Sequence, residues 1–131
     1  MTRSYVIIPF TVLAIAGPAP ADTAMECGVQ VSSQVEVASC VEAQIRVLDQ
    51  TLDEALGFAR DAAAELDAVT EREVAVPALE EAQVAWVAYR DARCAYRAAL
   101  FGGGSGAEIA EGSCRVAATR QRIDELMASL P

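Results

Sequence analysis

Apolar residues recur at steps of three and four from Val37 to Leu66, which is the periodicity of one face of an α-helix. At about 100° per residue these positions form a single stripe about 120° wide. The face opposite the stripe carries Glu36, Glu42, Arg46, Asp53, Glu54, Arg60, Asp61 and Glu65. The pattern predicts one long amphipathic helix. Ser33 with Glu36 has the spacing of a capping box for its start, and Ser39 with Glu42 has the same spacing, so the first residue stays open between the two.

Two further helices are predicted after a connector at residues 67–76. The connector fits either a loop or a helical extension, because Thr70 and Glu73 also have the spacing of a capping box. Pro77 suits the first turn of the second helix, and the glycine-rich run Gly102–Gly106 ends it. One face of this helix carries Leu79, Gln83, Trp86, Val87, Arg90, Cys94, Arg97 and Phe101.

The third helix is predicted from about Ser113 to Leu130. Its apolar stripe is formed by Val116, Thr119, Ile123, Leu126, Met127 and Leu130. A short helical turn is expected near Ala107–Glu111. No segment alternates as a strand would over a useful length, so the chain is predicted to be an all-α bundle of three principal helices.

The N-terminal segment has the layout of a secretory signal. Arg3 is followed by an apolar run from Tyr5 to Ala16 and then by small residues that favour cleavage. This predicts a signal peptide at residues 1–21 and a periplasmic or secreted domain at residues 22–131. The apolar run is too short to cross a bilayer as a helix, and no later run is long enough either, so the exported part should have no membrane span. Cys27 follows Thr-Ala-Met-Glu, which does not match a lipoprotein signal, so no lipid anchor is expected.

The exported part contains four cysteines: Cys27, Cys40, Cys94 and Cys114. In an exported chain of this size four cysteines indicate two disulfides, and their spacing lacks the close pairs of zinc sites. Three connectivities are open. The local pairings Cys27–Cys40 and Cys94–Cys114 are preferred because each closes a short segment that flanks a helix. The fold class is therefore a small disulfide-stapled all-α bundle.

The charge balance excludes several functions. Nineteen acidic residues stand against ten basic ones, all of them arginine, and there is no histidine. A chain this acidic is a poor partner for nucleic acid. It lacks a Schiff-base amine, an imidazole base and an imidazole metal ligand, so we expect a non-catalytic protein with no cofactor and no metal. Residues 36–81 hold twelve acids and three arginines, so the first long helix and the connector should form an acidic surface.

A motif in the second helix reads Gln83-x2-Trp86-x2-Tyr89-Arg90-Asp91-x2-Cys94. After the glycine-rich run the chain continues with Cys114 and Thr119-x2-Arg122-x3-Leu126. Together with the upstream Cys27, Cys40, Asp49 and Leu52, this pattern resembles the lysozyme inhibitor LprI-type N-terminal domain family. Where that family often reads Leu-Asn-x-Ala-Tyr, this chain has Leu52-Asp53-Glu54-Ala55-Leu56.

The conspicuous polar and aromatic residues of the motif are interpreted as architecture. They are Gln83, Trp86, Arg90, Thr119 and Arg122. A tryptophan supplies a large buried area, and a neighbouring guanidinium can stack on its ring or bind carboxylates across the bundle. Arg90 lies in a largely apolar stripe and therefore needs partners, for which Asp49, Asp53 and the carbonyls of the glycine turn are candidates.

The resemblance implies an exported domain that binds another protein, with a lysozyme as the partner. An acidic surface would steer towards a basic lysozyme and dock on the rim of its cleft, while a loop blocks access to the catalytic groups. The candidate partner-binding residues, chosen by charge and expected exposure, are Glu42, Asp53, Asp61, Glu65 and Ser105.

Two alternatives stay open. Gly102–Gly106 is either a loop that presents Ser105 or a connector whose glycines adopt positive φ. The whole domain is either a lysozyme inhibitor or a structural or general interaction module of the cell envelope without affinity for lysozyme. The sequence does not determine the oligomeric state.

Overall fold

The computed structural model describes residues 22–131, and these fold into four helices. They are α1 (Thr23–Gly28), α2 (Gln34–Thr70), α3 (Ala75–Ala99) and α4 (Ser105–Ala128). The described part contains no strand. The predicted all-α class with three principal helices is therefore confirmed. The predicted signal peptide at residues 1–21 lies outside the described residues.

Helix α2 begins at the first of the two predicted capping boxes. The Glu36 amide donates to Ser33 Oγ at 3.2 Å, and the Ser33 amide donates to Glu36 Oε2 at 3.1 Å. The hydroxyl and backbone bonds of Ser33 hold the pKa of the Glu36 carboxyl below its usual value. At its other end α2 continues to Thr70 and stops at Glu71, which adopts the left-handed conformation with φ 52°. The first residues of the predicted connector are thus helical.

The junction between α2 and α3 is held by Asp67. Its Oδ1 accepts from the amides of Val74 at 3.1 Å and Ala75 at 2.8 Å, and its Oδ2 accepts from the amide of Val76 at 3.0 Å. These bonds satisfy first-turn amides of α3, which Val74 at the cap position cannot do with its own side chain. The same bonds hold the pKa of the Asp67 carboxyl below its usual value. Helix α3 therefore starts two residues before Pro77.

The glycine run between α3 and α4 is a tight connector. Gly102, Gly103 and Gly104 have φ values of 72°, 121° and 75°, which only glycine adopts readily. The predicted start of the last helix at Ser113 is wrong, because α4 already begins at Ser105 and includes the turn expected near 107–111. Gly106 and Gly112 lie inside this helix and do not end it.

Helix α1 was not predicted, because six residues are too few to show a periodicity. Asp22 caps it by accepting from the Ala24 amide at 2.9 Å. Cys27 at its end is bonded to Cys40 of α2. The second disulfide joins Cys94 of α3 to Cys114 of α4, so both preferred local pairings are present.

The core lies where the three long helices meet. It contains Leu52, Ala55, Leu56, Ala59 and Leu126, with Leu79, Trp86, Ile123 and Leu130 packed against it. Closer to the start of both helices, α2 and α4 pack tightly at Gly112, where an added Cβ would lie 2.7 Å from Val41 Cγ1. No helix among the described residues is both long and apolar enough to cross a membrane.

Candidate functional site

The four carboxylates predicted to bind a partner are all exposed on α2. Glu42, Asp53, Asp61 and Glu65 lie on the half of the helix that faces away from the core. At about 1.5 Å per residue, Glu42 and Glu65 are separated by about 35 Å along the axis. They therefore do not form one compact cluster, and each has to be considered with its own neighbours.

Glu42 differs from the other three because its charge is neutralised locally. Its Oε1 lies 3.0 Å from Nη1 of Arg46, one turn further along α2. Within residues 22–131, no arginine lies within 4 Å of the carboxylates of Asp53, Asp61 or Glu65. These three carboxylates are consequently available to a cationic partner.

Asp61 and Glu65 belong to a continuous row on the outer surface of α2. The row, which we call the acidic stripe, consists of Glu54, Phe58, Asp61 and Glu65. Their spacing of four, three and four residues places each side chain beside the next. Glu54 also lacks an ion-pair partner in the described chain, and Phe58 is 57% exposed. The stripe therefore combines three unpaired carboxylates with one accessible aromatic ring.

Sequence reasoning missed the place of Glu54 and Phe58 in this surface. Glu54 lay on the predicted polar face, and its spacing of seven residues from Asp61 and eleven from Glu65 was the signal that the three share one face. Phe58 does not belong to the apolar stripe that the periodicity selected, and an aromatic residue outside that stripe was the signal. Asp53 projects about 80° from Asp61 around the axis, so it lies beside the acidic stripe and not within it.

Arg60 lies next to Asp61 but is engaged elsewhere. Its Nε donates to Glu80 Oε1 of α3 at 2.7 Å. This guanidinium holds the pKa of the Glu80 carboxyl below its usual value. Because Arg60 pairs with Glu80, it links α2 to α3 and does not pair with the neighbouring Asp61 carboxylate.

Ser105 is not presented by a loop. It is the first residue of α4, and its Oγ donates to Gln34 Oε1 at 3.3 Å near the start of α2. Gln34 and Glu54 are separated by about 30 Å along α2. The structure thus places Ser105 and the acidic stripe far apart along α2.

The residues interpreted as architecture meet around Trp86. The guanidinium carbons of Arg90 and Arg122 lie 5.0 Å and 5.8 Å from the centre of its ring, within the range of cation–π contact. Arg122 Nε also donates to Gln83 Oε1 at 3.2 Å, which joins α4 to α3. Thr119 is buried one turn before Arg122. This cluster ties α3 to α4 next to the core.

Arg90 is 7% exposed and finds two carboxylates. Its Nε donates to Asp91 Oδ1 at 2.9 Å, and its Nη1 lies 4.0 Å from Asp49 Oδ1 of α2. Asp49 was one of the partners expected from the sequence. Asp91 was not, although it adjoins Arg90 in the motif. No ion pair to Asp53 is present in the described structure.

Both pairs of cysteines are disulfide-bonded, and none of the four is free. Across residues 22–131 no group of three or more His, Cys, Asp or Glu side chains is arranged to hold a metal ion. The arrangement that stands out is a rigid helical surface with unpaired negative charge.

A family model described as "Lysozyme inhibitor LprI" matches residues 24–126 of the chain. The chain belongs to the LprI lysozyme inhibitor family. The matched residues extend from α1 to α4 and include both disulfides and the cluster around Trp86. No curated protein and no solved structure shows significant similarity to this chain.

Membership in the LprI family associates this domain with lysozyme inhibition. The two disulfides and the family together indicate an extracytoplasmic location, since disulfides persist where thiols are not kept reduced.

Proposed function

We propose that this LprI-family domain is a non-catalytic inhibitor that binds a basic lysozyme through the acidic stripe of α2. The observation that carries the proposal is the row of three unpaired carboxylates around the exposed ring of Phe58. Electrostatic complementarity accelerates encounter and sets orientation, while a buried aromatic side chain supplies much of the binding free energy. The stripe contains both components side by side.

The stripe is rigid, which favours binding. Leu52, Ala55, Leu56 and Ala59 anchor the same segment of α2 in the core. Arg60 fixes it to Glu80 of α3 as well. A surface that is already ordered loses little conformational entropy when a partner docks.

Occlusion is the mechanism that this geometry supports. Helix α2 would lie across the rim of the lysozyme cleft and prevent the polysaccharide from entering. Asp53 lies beside the stripe, and Glu42 lies about 18 Å before it along α2. Both would add electrostatic attraction, with Glu42 weakened by its pairing to Arg46. Ser105 would contact the same lysozyme only if the partner covers about 30 Å of α2 beyond the stripe.

The site of action follows from the same proposal. A signal peptide at residues 1–21 would export the domain to the periplasm or the medium without a lipid anchor. There it would meet a lysozyme before the enzyme reaches the cell wall.

The test is inhibition of lysozyme by the purified, oxidised exported protein, measured as clearing of a cell-wall suspension. The variant Asp61→Arg with Glu65→Arg should weaken inhibition about tenfold or more, because it reverses two charges in the stripe. Glu81→Arg with Asp124→Arg is the matched control, since it makes the same charge change on α3 and α4. The control should inhibit nearly as well as the unmodified protein.

Salt supplies an independent readout. Inhibition should weaken as ionic strength rises, because exposed charges separated by more than about 10 Å are screened at 0.1 M salt. No inhibition at low salt with a large molar excess would reject the proposal and favour an envelope module without affinity for lysozyme. Equal loss in the two charge-reversal variants would reject the acidic stripe as the binding surface.

A further inference from the structure

A groove of about 650 Å³ opens at the end of the bundle that holds α1. It lies between α1, the beginning of α2, the last turns of α3 and the first half of α4, and we call it the α1/α4 groove. Most of its lining is apolar and includes Met25, Phe101 and Ile109. Met25 and Phe101 are 72% and 58% exposed, so this apolar surface is accessible. Its volume is in the range of small-molecule sites.

Two arginines of α3 also line the groove. Arg93 and Arg97 are four residues apart, so their side chains project from neighbouring turns on the same face. Neither has a carboxylate within ion-pair distance in the described part of the chain. Arg97 lies in the last turn of α3, where a cation stabilises the helix dipole. That explanation does not extend to Arg93.

A polar group in the wall of the groove is also unused. Ser113 lines the groove and is 8% exposed, and its Oγ has no hydrogen-bond partner within residues 22–131. A buried hydroxyl without a partner costs free energy, so native structures usually satisfy such groups. The groove thus combines two unpaired cations, an apolar lining and an unsatisfied hydroxyl. It is also lined by the carboxylate of Asp22, which accepts from the Ala24 amide as the cap of α1.

We propose that the α1/α4 groove binds a single-chain amphipathic carboxylate, a molecule with one carboxylate on an apolar chain. Guanidinium groups form strong charge-assisted hydrogen bonds with carboxylates, and the apolar lining would cover the chain. The net charge of −9 opposes a polyanion or a second copy of this protein more strongly than a ligand with one negative charge.

This site is separate from the acidic stripe. Val37 lines the groove, and Glu54 begins the stripe about 25 Å further along α2. Binding at the groove can therefore be measured directly and does not depend on lysozyme. Failure of one proposal would leave the other standing.

The experiment is calorimetric titration of the oxidised exported protein with dodecanoate below its micelle concentration. One dodecanoate should bind per chain. Arg93→Ala with Arg97→Ala should weaken binding about tenfold or more, because both cations that hold the carboxylate are lost. Arg46→Ala with Arg72→Ala is the matched control, which removes the same charge outside the groove and should change binding less than about twofold.

A second variant tests the apolar part without changing charge. Ala110 lines the groove, and Ala110→Phe should fill it and weaken binding while the far-UV circular dichroism spectrum stays unchanged. Dodecyl maltoside has the same chain with a neutral head and should bind much more weakly than dodecanoate. Acetate has the carboxylate alone and should show no measurable binding.

Four outcomes would overturn the proposal. They are no binding of dodecanoate, equal binding of dodecyl maltoside, equal binding of acetate, and equal losses in the two arginine variants. A fifth comparison uses an acidic peptide ending in phenylalanine. If this peptide binds at the arginines and dodecanoate does not, the groove recognises a protein segment and the proposed ligand class is wrong.

Discussion

At the scale of single residues, the contacts between helices depend on a few side chains whose size or charge is not interchangeable. Gly112 lets α4 approach Val41 of α2, and Arg90 lies between the Trp86 ring and two carboxylates. The sequence showed that Arg90 needed partners. It did not show that a glycine inside a helix lies where two helices pack tightly, since this depends on where their axes cross.

Replacement of Gly112 by alanine should destabilise the fold. The new Cβ would meet the buried Val41 side chain at 2.7 Å, and overpacking of this kind costs about 1–3 kcal/mol. Gly57→Ala is the control, because nothing lies within 4 Å of its added Cβ. That change should stabilise α2 by about 1 kcal/mol through helix propensity. Urea unfolding followed by circular dichroism measures both, and a stabilised Gly112 variant would contradict the described packing.

At the scale of elements, several helix ends are fixed by recognisable groups, but only some of these groups are local. The Ser33–Glu36 capping box and the glycines after α3 act within a few residues of the helix end. The sequence predicted the glycine stop and offered Ser33–Glu36 as one of two capping boxes for α2. Asp67 acts eight residues from Ala75 across a turn. Pro77 therefore placed the start of α3 to within one turn, whereas the first residue, Ala75, is set by this more distant contact.

Asp67→Ala should lower the melting temperature at neutral pH, because three amides at the start of α3 lose their acceptor. The pKa of Asp67 is lowered in the folded protein, so the carboxylate stabilises the fold fully above its unfolded pKa of about 3.9. This contribution is lost as the pH falls through the lower folded pKa. Thermal unfolding at several pH values should therefore show the variant and the parent converging in acid. Asp53→Ala, which removes an exposed carboxylate without such bonds, should show little difference at any pH.

At the scale of the whole molecule, the two disulfides serve different parts of the bundle. Cys27–Cys40 attaches the short α1 to α2, whereas Cys94 is completely buried and its bond to Cys114 joins α3 to α4. Both pairings were preferred from the sequence because each closes a short segment that flanks a helix.

Loss of the two disulfides should have unequal effects. Cys94→Ser with Cys114→Ser should cost about 3 kcal/mol or more, because a 20-residue separation is released and polar atoms enter the core. Cys27→Ser with Cys40→Ser should mainly release α1. Hydrogen exchange should then rise in α1 while α2, α3 and α4 stay protected. Equal loss of protection throughout the chain in the second variant would show that α1 is part of the cooperative core.

The sequence by itself determined the helical class, the three long helices and the excess of negative charge on α2, and it favoured the disulfide pairing that forms. These features depend on periodicity, caps and spacing, which act over a few residues or short loops. Only the tertiary structure decided which carboxylates of α2 stay unpaired, where Ser105 lies, and how α1 closes a groove beside Arg93 and Arg97. Those outcomes depend on how the helices cross and on which side chains they bring within bonding distance. Such contacts join residues far apart in the chain, so no local pattern in the sequence shows them.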